Sequence, residues 1–155
     1  MVSSPAAVVD PVRLGLGFTE VVLGTQPAAG AGFTFANDSR FASRLIAITF
    51  RFVTSAVVAN RSVHVDTDDG GANVVTRDGT GAVQQASTTA FYCFNVERGS
   101  ADWDQNNNVY APLVGRWMNG PQNVLITVGS IDVGDQLSQI VMFWERLHSD
   151  EPRGF

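Results

Sequence analysis

Residues 44–55, RLIAITFRFVTS, alternate in side-chain character with a period of two: Ile46, Ile48, Phe50 and Phe52 on one side, Ala47, Thr49 and Arg51 on the other. Successive side chains of an extended chain point to opposite faces, so this period dictates a half-buried strand and excludes a helix. RSVHVDT (61–67) repeats the signal, with Val63 and Val65 set against Ser62, His64 and Asp66, and NVVTR (73–77) returns as its hairpin partner. STTAFYCFNVE (87–97) is apolar on both faces, with Tyr92, Phe94 and Val96 against Phe91 and Cys93, the pattern of a strand covered on both sides. NVLITVGS (123–130) and SQIVMFWERL (138–147) add two more, the last with Ile140, Met142 and Trp144 alternating against Val141, Phe143 and Glu145. No stretch longer than two helical turns keeps an amphipathic helical period. About six to eight short strands with long corner loops predict an all-β chain, a jelly-roll-like β-sandwich.

A length of 155 residues fits one domain. Residues 1–32, rich in Ala, Gly, Pro and Val and interrupted by Pro5, Pro11 and Pro27, read as an extended N-terminal arm in which FTEVVLG is one short strand. Such an arm either drapes over its own domain or docks on a neighbouring subunit. Residues 33–148 form the sandwich and 149–155 a flexible tail. Charged residues are 16 % of the chain against an average of about 25 %, which implies that part of the surface is covered by partners. The net charge is −5, and all ten basic residues are scattered arginines, so no stripe exists to track phosphates and no direct nucleic-acid partner is expected. Cys93 is the one cysteine, which rules out an intrachain disulfide and a thiolate metal cage. There is neither a signal-peptide pattern at the N-terminus nor a run of about 18 apolar residues, so neither secretion nor a membrane-spanning helix is expected.

Chemistry finds few footholds. Asp66, Asp68 and Asp69 precede Gly70 and Gly71, but counting an EF-hand from Asp66 puts Arg77 where the last carboxylate belongs. Asp68, Asp69 and Gly70 are therefore expected to build a hairpin turn, with a weak calcium site the alternative. Ser62, His64 and Asp66 share a strand face yet stand about 6.6 Å apart in succession, too far for a proton relay. Asp102 and Asp104, with His64, offer a hydrolase only a thin basis, because residues two apart in a polar loop do not face each other across a substrate. No cofactor, metal or catalytic residue is assigned. Phe33, Phe35 and Phe41, with Trp103, Tyr110, Trp117 and Met118 in the long connection 99–122, lie outside the strand runs and read as interface candidates. The alternative is a sugar platform of Trp103, Tyr110 and Trp117.

Two patches, SAVVANRSVHVDTDDGGANVV (55–75) and NVLITVGSIDVGDQLSQIVMFWER (123–146), resemble small structural proteins of tailed-bacteriophage particles. In that pattern a strand ending in Ala-Asn-Arg leads to a strand and an acidic hairpin, and a late G-x-x-x-G-D-Q turn feeds the final strand. The resemblance implies a non-enzymatic virion component, a capsid decoration or cement protein, or else a head-tail connector or tail piece. Its partners would be further copies of itself and major capsid or other virion proteins, and its location the virion, after synthesis in the host cytoplasm. Asn60 and Arg61 carry over to the start of the hairpin, and Gly134, Asp135 and Gln136 to the late turn. Their implied roles are structural: Gly134 permits the turn, and Asp135 and Gln136 bond backbone across it.

Overall fold

The computed structural model describes residues 17–148. Eleven strands form two sheets: β1 (Phe18–Leu23), β2 (Phe33–Ala36), β3 (Phe41–Val53), β4 (Arg61–Asp68), β5 (Val74–Gln84), β6 (Thr89–Asn95), β7 (Asp102–Trp103), β8 (Asn108–Pro112), β9 (Trp117–Met118), β10 (Asn123–Gly129) and β11 (Gln136–His148). The larger sheet runs β1-β11-β3-β6-β8-β7, with β9 beside β3, and the smaller runs β2-β10-β4-β5.

The order has a simple origin. Antiparallel pairs nest as β4 with β5, β3 with β6, β2 with β10 and β1 with β11, so the chain is one long hairpin rolled up until its arms pair again. That is the eight-stranded jelly roll, and the acidic turn at 69–73 is the tip of the rolled hairpin. Strands β7, β8 and β9 are additions from the connection between β6 and β10. β8 lies parallel to β6 and widens the larger sheet.

The core lies between the sheets. Ile48, Phe50, Phe52, Tyr92 and Phe94 from the larger sheet meet Val63, Val65, Val124 and Ile126 from the smaller, all buried. Phe50 stacks on Tyr92 at 5.0 Å between ring centroids, and Trp144 packs against Phe35 at 5.7 Å. Ile46 leaves the inward series expected of it. The register between β3 and β11 shifts between Phe143 and Trp144, a bulge that hands the buried position to Leu45 and leaves Ile46 half-exposed on the other face.

Within residues 17–32 of the expected arm, Phe18–Leu23 form β1 at the edge of the larger sheet. β1 pairs with β11 along its whole length because Phe18 and Val22 supply inward side chains, Val22 against the core and Phe18 edge-on to Phe41. Residues 1–16 of the expected arm and the tail 149–155 lie outside the described residues.

Candidate functional site

The acidic turn is closed on itself. Asp68 Oδ1 accepts from the Gly70 and Asn123 amides and from the Asn123 side chain, at 2.8, 3.1 and 2.9 Å. Asp69 accepts from the amides of Gly71 and Asn73 and from the Asn73 side chain, and that bonding, the Asn73 amide group foremost, holds its carboxyl below the ordinary range. Asp66 is buried between Arg77 at 2.9 and 3.0 Å and Thr127 at 2.9 Å. Gly70 has φ +84°, and a Cβ there would sit 1.8 Å from the Pro121 carbonyl oxygen, so only glycine fits where the turn docks on the chain entering β10. Among the described residues no three His, Cys, Asp or Glu side chains gather as metal ligands.

The two patches that carry the resemblance meet in space. Arg61 and Asp135, both with wholly buried side chains, form a two-point ion pair, Nε to Oδ2 at 3.0 Å and Nη2 to Oδ1 at 3.1 Å. Arg61 also donates to the carbonyls of Val57 and Ala59 and to Ser55 Oγ, while Asp135 accepts from the amides of Ser55 and Asp132. Burial pushes the Asp135 carboxyl up, but Arg61 and the two amides outweigh it and leave it below its usual range. Gln136 donates to the Pro27 carbonyl, and Asn60, exposed, accepts from Gln85 at 3.4 Å. Gly134 lies in the turn before β11, with a φ outside the left-handed region. A Cβ would meet that of Ser55 at 2.9 Å, so the residue allows two sheet-to-sheet crossings to touch. This cluster latches one end of the sandwich and presents no chemistry to solvent.

The interface candidates divide. Phe33 and Met118 are buried in the core, since β2 and β9 turn those side chains inward; Phe35 and Trp103 are half-buried against it. Trp103 pairs with Val109, an inward position, and meets Tyr92 edge-on at 6.3 Å. Phe41 packs on Phe18 and lies under Arg146. Only Tyr110 and Trp117 stand on the outer side, under Arg98 and Arg44 respectively. With Trp103 facing inward, Trp103, Tyr110 and Trp117 make no common sugar platform.

Nor does a hydrolase assemble. Asp104 is consumed by the amides of Asn106 and Asn108 and the Asn108 side chain, which lowers its carboxyl. His64 faces out from the smaller sheet, between Thr127 and Gly79, whereas Asp102 lies at the far edge of the larger one.

What stands open is the outer face of the larger sheet. Register places Leu23, Val141, Thr49, Cys93 and Tyr110 in one row across five strands, and Val21, Phe143, Ala47, Asn95 and Pro112 in the next. Leu23 is 75 % exposed, Val21 59 %, Phe91 45 % and Phe143 37 %. The charged side chains of this face are few: Arg44, which pairs with Glu145 at 3.0 Å, and Arg51, beside Phe91. Two shallow hollows of about 340 and 570 Å³ run together over Thr49 and Cys93. Sequence reasoning placed Phe91 and Cys93 in the core as part of a doubly covered strand, but the fold has two layers and covers β6 on one side only. The signal was present: β6 and β11 are apolar on both faces, and a two-layer sandwich has no second cover to give them.

No protein-family model matches the chain, and no curated protein matches it. Among solved structures, one described as the structure of infectious bursal disease virus Gx strain matches with 12 % identity and a TM-score of 0.45. The match covers 88 % of this chain and 33 % of that one, and a likeness of that size carries no statement about function.

Proposed function

We propose that this chain is a non-enzymatic structural protein of a virus particle, a capsid decoration or cement module of a tailed phage that bridges neighbouring subunits. The observation that carries the reading is the open apolar face of the larger sheet. Five strands at about 4.8 Å spacing and seven residues at about 3.3 Å rise give a face of roughly 550 Å² in plan. The plan area includes Thr49, Arg51, Asn95 and Asn108, and it is of the order of the largest apolar patch on a lone soluble protein, about 300–600 Å². The two central rows, from Leu23 to Tyr110 and from Val21 to Pro112, carry no charge, and Arg44, Glu145 and Arg51 border them, which is the anatomy of an interface. Jelly rolls also serve lectins and cupins, so topology alone does not choose among functions. Against the sugar-binding alternative stands the inward turn of Trp103; a neck or tail position in the virion uses the same face and is the second reading.

The test is sedimentation velocity of the full-length protein beside a Val141→Asp, Phe143→Asp variant. An oligomer that the double substitution dissociates, with the β-rich circular dichroism unchanged, supports assembly through this face. A wild-type protein that sediments as a monomer at tens of micromolar overturns self-assembly.

A further inference from the structure

We propose that the occupant of the open face is the segment Pro5–Leu16 of a neighbouring copy, so that each sandwich clasps the arm of the next subunit. This rests on the assembly reading above and names the partner of the same face.

Shape favours a strand of chain over a second sheet. The hollows meet on a floor of small side chains, Thr49 and Cys93, between walls that include Phe143 on one side and Phe91 and Tyr110 on the other. A flat sheet laid across those walls would leave the floor bare, and unfilled space forfeits packing energy. An extended segment follows the trough. Residues 5–16, PAAVVDPVRLGL, have the matching composition: mostly small apolar side chains that lose little rotamer freedom when ordered, with two prolines whose φ is fixed in advance. The segment carries one acid and one base, Asp10 and Arg13, and the rim offers both signs in Arg44 with Glu145 and in Glu97 with Arg98.

Reach and direction favour a neighbour. Twelve extended residues span about 40 Å, against roughly 23 Å for seven residues of a strand of the sheet. β1 is the edge strand, and Gly17 lies against Arg146 near the end of β11. Gly17, the first described residue, therefore sits at a corner of the sheet, and a segment that reached the chain's own trough would have to turn back over β1.

Cys93 is the chain's one thiol and lies on the trough floor, so it reports on the occupant directly. Val9→Cys is introduced into the full-length protein, which is oxidised mildly and run on a non-reducing gel. The expected result is loss of the monomer band to disulfide-linked dimers and larger species, all of which vanish when Cys93→Ser is added. An intrachain disulfide in a monomer overturns the proposal by placing the arm on its own sheet. So does the absence of a Cys93-dependent cross-link in both Val9→Cys and Val12→Cys proteins whose thiols react with a maleimide, or dimers that persist in the Cys93→Ser background. Sedimentation of the wild type separates the two readings: an oligomer without the cross-link leaves assembly standing and removes the arm, whereas a monomer removes both.

Discussion

The outer faces of the two sheets are built on opposite principles. On the smaller sheet the acidic side chains are answered within the chain, Asp66 by Arg77 and Thr127, and Asp68 by Gly70 and Asn123. On the larger sheet Val21, Leu23, Phe91 and Phe143 stand in the open, and their chemistry can be satisfied only by more apolar surface. The smaller sheet also exposes Val74, Val75 and Val83 along β5, but its acids are paired within the chain, whereas the open side chains of the larger sheet are spread over β1, β11 and β6. Substitutions should therefore divide into those that damage the fold and those that damage only what the fold assembles with.

The largest effect is expected at the latch between the sheets. Asp135→Ala leaves the Arg61 guanidinium buried without its carboxylate, and breaking such a pair from one side costs about 3–5 kcal/mol. Stabilities of domains this size run about 5–15 kcal/mol, so the urea midpoint should drop steeply or the variant should fail to fold. A wild-type midpoint would show that the crossings hold without the pair.

The same carboxylates set the acid limit. Asp135, Asp69 and Asp132 titrate below their ordinary values, so each contributes stability above the unfolded carboxylate value of about 3.9, lost as pH falls through the lower folded values. Asp78, raised by burial, acts in the opposite direction. The thermal midpoint should change little between pH 7 and 5 and fall below about pH 4. A maximum near pH 4 would mean that these carboxylates are not engaged as described.

Much of this was legible in the sequence, and what was missed has a physical cause. Period-two alternation located the strands, and turn chemistry at Asp68, Asp69 and Gly70 identified the hairpin tip, because both signals are local. Arg61 and Asp135 stood out as parts of two motifs, yet their pairing spans 74 residues, and no local rule brings them together. FTEVVLG reads as a strand, but its partner does not: β1 is an edge strand anchored on one side only, and β11 is the last element of the chain. Loop position in the sequence does not tell which way a side chain turns: β2, β7 and β9 are short strands that turn Phe33, Trp103 and Met118 inward, while Tyr110 and Trp117 stand outside.

Within the smaller sheet the effects should be intermediate. Asp68→Ala strips the acceptor from the Gly70 amide and from Asn123, a loss of about 1–3 kcal/mol where the orphaned donors stay buried. Calcium should leave the thermal midpoint of the wild type unchanged, because Asp66, Asp68 and Asp69 already spend their oxygens on protein donors. A calcium-dependent rise in the wild type that Asp68→Ala abolishes would turn the hairpin tip into a binding site and remove the contrast between the faces.

The smallest effect on the fold, and the one that sharpens the comparison most, is expected on the larger sheet. Phe91→Ser removes a ring from an exposed position whose neighbours across the face are Arg51 and Asn108, so no cavity forms and no buried donor is orphaned. Unfolding of the isolated subunit should shift by no more than about 0.5 kcal/mol, as at other surface positions. If the ring lines an interface, the same substitution should lower the association constant while leaving the subunit's urea curve in place. The two measurements must therefore disagree. A subunit that loses several kcal/mol while its association is unchanged would instead make the outer face part of the fold's own core, covered by residues of the same chain.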